Sequence, residues 1–138
     1  TKTYRNLEHY GNPEKILNDV EKQIGRRILL QTKTLILTPR YLVELSDDIC
    51  AIIPLPEVLW IYDHAAMRRT IKGRQLSYTI HVVTMKGEEY TLTGKSHREV
   101  SAIYHELNTR YPNFFFGYSK EHQEMVQYVL HEMKNEKA

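Results

Sequence analysis

Val58-Leu-Trp-Ile-Tyr62, Ser77-Tyr-Thr-Ile-His-Val-Val-Thr84 and Glu89-Tyr-Thr-Leu-Thr93 are the runs whose reading decides the fold. The first is β-branched and aromatic, the composition of a strand. The second alternates, which places Tyr78, Ile80, Val82 and Thr84 on one face. Met85-Lys-Gly-Glu88 between the second and third is a turn, with Gly87 free to take positive φ. The third run returns with Tyr90 and Leu92 on one face. Ser96-His-Arg-Glu99 then forms a capping box, the serine accepting from a helix N–H and the glutamate reaching back. Ile49-Cys-Ala-Ile-Ile-Pro54 adds a short apolar run upstream. Residues 49–94 therefore read as three or four consecutive antiparallel strands closed by a helix that covers one sheet face.

Downstream, the helix over residues 96–111 turns Val100, Ile103, Tyr104, Leu107 and Tyr111 inward, and Pro112 stops it. Asn113-Phe-Phe-Phe-Gly-Tyr118 is too aromatic for a free loop. A second helix over residues 119–135 turns Met125, Val126, Val129, Leu130 and Met133 inward. Upstream, Pro54-Leu-Pro-Glu57 lacks two donors and serves as a corner between sheet layers. Tyr41-Leu-Val-Glu-Leu45 is a strand entered through the tight turn Thr38-Pro-Arg-Tyr41 and left through Ser46-Asp-Asp48. Residues 27–30 and 34–38 are two strands or one bent strand. Asn12-Pro13 starts an N-terminal helix over residues 12–25 with the stripe Ile16, Leu17, Val20 and Ile24. Residues 1–11 read as an arm. Residues 63–76 could extend the strand or loop out; because they hold Arg68, Arg69, Lys72, Gly73 and Arg74, they are placed in a long exposed hairpin connection.

A chain of 138 residues can bury a core without staples, and a single domain over residues 1–138 is expected. The hydrophobic share of 41% and charged share of 26% are those of a globular protein. The net charge of +2 is too small for a nucleic-acid partner. The single cysteine, Cys50, excludes an intrachain disulfide and a four-cysteine zinc site. It fits a reducing compartment, here the cytoplasm. No run approaches the roughly 18 apolar residues of a membrane span, and no signal peptide is visible. A start at Thr1 reads as a piece of a longer protein, which leaves room for a membrane tether through residues outside this chain.

Candidate chemistry is sparse. None of the seven histidines forms a His-x-x-x-His pair, and neither His97 with His105 nor His122 with His131 completes a ligand set, so no metal is expected. Asp63-His64 could be half of an acid–base pair. Cys50, however, sits in an apolar run where cysteine acts as a small hydrophobe, and neither Ser77 nor Ser96 lies in a nucleophile elbow. Gly73 and Gly87 are isolated turn glycines, so no phosphate loop and no cofactor are expected. Trp60 and the run Phe114–Phe116 could form a ligand platform, but such residues are more often core. Three consecutive phenylalanines cannot all point one way, so at least one lies near the surface or under a partner, which makes Phe114, Phe115 and Phe116 a candidate apolar partner surface. Arg68, Arg69, Lys72 and Arg74 are a candidate contact for an anion or an anionic lipid, set against the ordinary alternative of a solvated hairpin tip.

The order of strand pairs, proline corner, long-loop hairpin and capping helix resembles a pleckstrin-homology-like (PH-like) domain. Thr38-Pro-Arg-Tyr41, Ile53-Pro54, Val58-Leu-Trp-Ile-Tyr62, Lys86-Gly-Glu-Glu-Tyr90, Pro112-Asn113 and Gly117-Tyr118 together resemble the uncharacterised bacterial PH-like domain family, often attached to membrane-spanning helices. The resemblance spans about residues 28–118. It implies an α+β fold: an antiparallel, partly open barrel of about six or seven strands over residues 28–94, with an N-terminal helix and two C-terminal helices. It implies binding or scaffolding rather than catalysis. The first hairpin carries only Arg40, where lipid-binding relatives place their basic motif. The expected function is a non-catalytic interaction module at or near the inner membrane face. Its partner would be a protein, a peptide or the membrane-anchored part of the parent chain. The alternatives are an anionic-lipid module that uses the basic hairpin tip, and, disfavoured, a small enzyme.

Overall fold

Asn12 opens the N-terminal helix, Pro13–Arg26, as its short polar side chain allows: its Oδ1 accepts from the N–H groups of Glu14 at 3.0 Å and Lys15 at 3.3 Å. The computed structural model describes residues 6–45 and 51–136. In it the stripe Ile16, Leu17, Val20 and Ile24 packs with Leu7, Tyr41, Val43 and Ile52. Residues 6–10 are accordingly no free arm. Leu7 is fully buried, and Asn6 Oδ1 accepts from Ile52 N at 3.1 Å.

The first sheet is an antiparallel meander of β1 (Leu30–Gln31), β2 (Leu35–Leu37), β3 (Tyr41–Glu44) and β4 (Ala51–Pro54). Ile36, Val43 and Ile52 lie in one row across it. Thr38 closes the expected turn: its N–H donates to Tyr41 O at 2.9 Å, and its Oγ1 accepts from Tyr41 N at 3.0 Å. The Tyr41 hydroxyl donates to Asp19 Oδ2 at 2.5 Å. Burial and that carboxylate push its pKa well up. The turn assigned to Ser46-Asp-Asp48, together with Ile49 and Cys50, lies outside the described residues.

Pro54 ends β4, and a single 3-10 turn, Leu55–Glu57, carries the chain into the second sheet, with Leu55 N donating to Arg40 O at 2.9 Å. That sheet has the order β7 (Glu89–Lys95), β6 (Gly73–Thr84), β5 (Val58–Thr70), β8 (Phe115–Phe116), with β8 parallel to β5 and the other pairs antiparallel. Leu59, Trp60, Val83 and Val126 form its core with Phe115, Val129 and Leu130. Ile61, Ile80, Val82 and Leu92 are also buried, so the start of β5 is apolar on both faces, as its sequence requires. The middle helix, His97–Arg110, begins with the expected capping box: Ser96 N donates to Glu99 Oε1 at 2.8 Å, and Glu99 N to Ser96 Oγ at 3.2 Å. Val100, Ile103 and Leu107 are buried. The C-terminal helix, Lys120–Glu136, is capped by Ser119 Oγ, which accepts from His122 N at 3.0 Å.

The fold is α+β, with an N-terminal helix and two helices after the main strands. The strands number eight among the described residues, against the six or seven expected, because β8 is only two residues long and shows no period. Two further expectations are corrected. Residues 63–76 are not a long loop: β5 and β6 run through them. Phe115, partly buried, packs against the second sheet's core in register with Trp60. Met125 is 46% exposed, because Val126, Val129, Leu130 and Met133 already complete an i, i+3, i+4, i+7 stripe. Contacts gather into two compact units. One holds the first sheet, the N-terminal helix and most of the middle helix; the other holds the second sheet and the C-terminal helix.

Candidate functional site

β7 ends with Lys95 opposite Tyr78, and β8 reaches only Trp60 and Ile61 of β5. Past those points β5 and β6 continue as a two-stranded ribbon, from Ala66↔Ser77 to Thr70↔Gly73, and the arm is counted from His64, where β5 has already left β8. Residues 64–77 thus form an arm. Its turn is Thr70-Ile-Lys-Gly73, in which Ile71 and Lys72 keep negative φ and Gly73 takes φ +111°. Glycine takes such a φ at no steric cost, which lets the chain reverse here. Thr70 Oγ1 fastens the turn by donating to Gly73 O at 2.9 Å and accepting from Lys72 N at 3.3 Å.

The strand period sorts the arm into two faces. Met67 and Arg69 stand opposite Leu76 and Arg74; Ala66 and Arg68 stand opposite Ser77 and Gln75 on the other face. Arg68, Arg69, Lys72 and Arg74 are all exposed, so the structure brings the four predicted cations together on one element. The arm holds four of the chain's 19 Lys and Arg and none of its 17 Asp and Glu, which sets +4 here against −2 on all the rest. Three apolar side chains accompany the cations: Met67 at 63% exposure, Leu76 at 54% and Ile71, fully exposed, at the tip. These three belong to no periodic stripe in the sequence, because an exposed two-stranded arm buries neither face.

At the base of the arm an aromatic series runs along one face. Tyr62 lies 4.4 Å from Trp60 and 4.6 Å from His81, centroid to centroid, and His64 lies 5.0 Å from His81. His64 Nδ1 and His81 Nε2 lie 3.1 Å apart, within hydrogen-bond distance. Burial lowers the His81 pKa, the charge of His64 lowers it further, and Glu89 opposes both. Trp60 Nε1 and His122 Nδ1 both donate to Gly117 O at 2.9 Å, which fixes the proton of His122 on Nδ1. Asp63-His64 therefore meets a second histidine rather than a nucleophile. Of the phenylalanines, Phe116 is 46% exposed and Phe114 half-buried, with their rings edge to face at 6.3 Å.

A cleft of about 290 Å³ beside the arm is lined by Arg68, Gln75, Ser77, Lys95, Ser96 and Glu99. Its serine–glutamate pair is committed to the helix cap. Among the described residues no three His, Cys, Asp or Glu side chains are placed to hold a metal ion, and no helix is long and apolar enough to cross a membrane.

The sequence matches the family described as Domain of unknown function (DUF6709) over residues 18–126, from the N-terminal helix through the arm into the C-terminal helix. The chain belongs to that family. No curated protein and no solved structure gives a significant match.

Proposed function

We propose that this member of the DUF6709 family is a PH-like, non-catalytic interaction module acting at or near the inner membrane face. Its arm takes a protein or peptide segment rich in carboxylates. The observation that carries this reading is the charge of residues 64–77: four cations and no acid, on a chain that is otherwise slightly acidic. A one-sign element raises the local concentration of opposite charge and steers its approach. The exposed Met67, Leu76 and Ile71 add apolar area that a small anion would not use, and that favours a macromolecular partner.

The fully exposed Ile71 at the apex, with cations behind it, favours a second reading, contact with an anionic bilayer. Each cation near such a surface contributes about 1 kcal/mol, screened beyond about 8 Å at physiological salt. Titration of the domain with a Glu-Val alternating peptide and with phosphatidylserine vesicles, at low and physiological salt, separates the two readings. The module reading expects peptide binding to persist at physiological salt and vesicle binding to disappear. Tight vesicle binding at physiological salt would replace it with the lipid reading. Binding of neither probe at either salt would contradict both.

A further inference from the structure

We infer that the outer edge of β5 along residues 64–70 is an acceptor for strand addition by an extended acidic segment. The inference rests on the anionic-partner reading above and specifies how the partner is held.

β5 uses its outer edge for only two residues, where Phe115 and Phe116 pair with Trp60 and Ile61 and Gly117 N donates to Ile61 O at 2.8 Å. Gly117 then turns away at φ +84° toward the C-terminal helix. From residue 64 to the turn, β5 has no second strand among the described residues, and His64, Ala65, Ala66, Met67, Arg68 and Arg69 are all exposed. Such an edge presents a row of backbone donors and acceptors that pairs with any extended chain. β-Augmentation draws affinity from those main-chain bonds and specificity from side chains at alternate positions.

The side chains here name the occupant. Ala65 and Ala66 leave room beside them for large apolar residues on an incoming strand, with Met67 to pack against them. Arg68 and Arg69 follow at once, one on each face, and would pair with carboxylates at the adjoining positions. A second copy of this chain fits poorly, because edge-to-edge pairing would join two sets of four cations in one ribbon, and like charges across strands destabilise. The matching ligand is an extended segment with apolar residues at one end and Asp or Glu at the other.

The test uses a peptide with an apolar half and an acidic half (Val-Val-Val-Val-Glu-Glu-Glu-Glu), the same peptide with every backbone N–H methylated, and hydrogen exchange of the domain. The two peptides carry the same charge, but only the first can donate backbone hydrogen bonds to the strand edge, and the methyl groups of the second crowd that edge. Strand addition predicts slowed exchange at alternate amides of residues 64–70 and at least tenfold weaker binding of the methylated peptide. Equal binding of both peptides with no slowed exchange overturns strand addition and leaves the anionic-partner reading in place. Binding of neither peptide overturns both. Slowed exchange at these amides that depends on protein concentration alone would give the edge to a second copy. The same protection by phosphatidylserine vesicles without peptide would give it to a membrane. Either result overturns the inference.

Discussion

Arg69 and Arg74 stand directly opposite each other across the arm, one pair short of the turn. Like charges at directly opposed positions of an antiparallel pair oppose its formation. Nothing in the fold asks for this pair, since both side chains are exposed and neither supports a core. The arrangement costs a little stability and concentrates positive charge where β5 and β6 stand alone.

Arg74→Glu should therefore stabilise the arm and weaken it as a binding element. A cross-strand pair of opposite charge is worth about 0.2–1 kcal/mol, read as slower amide exchange in residues 64–77. Binding of the acidic peptide should fall in the same variant. If exchange quickens, the register at the tip is wrong. If binding holds, the arm is not the site.

Trp60→Phe removes the indole N–H that donates to Gly117 O and thins the core beside Phe115. Because His122 Nδ1 still donates to that carbonyl, the acceptor is not orphaned, and the cost should be about 1–2 kcal/mol. Denaturant melts followed by far-ultraviolet circular dichroism measure it. A neutral result would mean that β8 is held by other contacts.

His81 should make the domain less stable in mild acid. Its pKa is lowered by burial first and by His64 second, with Glu89 opposing, so the unfolded chain takes up a proton that folded His81 resists. Its contribution is whole above the ordinary histidine value of about 6.5 and is lost as pH falls through the lower folded value. Between pH 7.5 and pH 5.5 the urea midpoint should drop more for the parent than for His81→Gln. Equal drops would show that the imidazole is as free in the fold as in the unfolded chain.

Ser96→Ala takes away the acceptor of Glu99 N and should cost about 1 kcal/mol. Leu107→Ala opens a cavity at a fully buried position and should cost about 2–4 kcal/mol. Unchanged melting in the first would place the helix start elsewhere, and unchanged melting in the second would mean that this helix face is not core.

Where a residue's own chemistry constrained the backbone, its place was legible in the sequence. Asn12, Ser96 and Ser119 cap helices because their oxygens reach orphaned N–H groups, and Pro54 ends a strand because it cannot donate. Residues 63–76 were misread for a physical reason. A two-stranded arm needs no buried face, so its sequence carries no hydrophobic alternation, and a charged run without alternation reads as a loop. The four cations were visible, but their shared element, the facing of Arg69 and Arg74 and the open β5 edge depend on register. The His64–His81 contact was hidden for the same reason: the two residues are diagonal neighbours across a strand pair, at positions that only pairing defines.

The most direct test of the central claim is the combined variant Arg68→Ala, Arg69→Ala, Lys72→Ala, Arg74→Ala, titrated with the acidic peptide at several salt concentrations. All four side chains are exposed, so the melting temperature should stay within a few degrees of the parent's. Affinity should fall at least tenfold at low salt, and the salt dependence seen in the parent should flatten. Parent-like affinity and salt dependence in this variant would contradict the account.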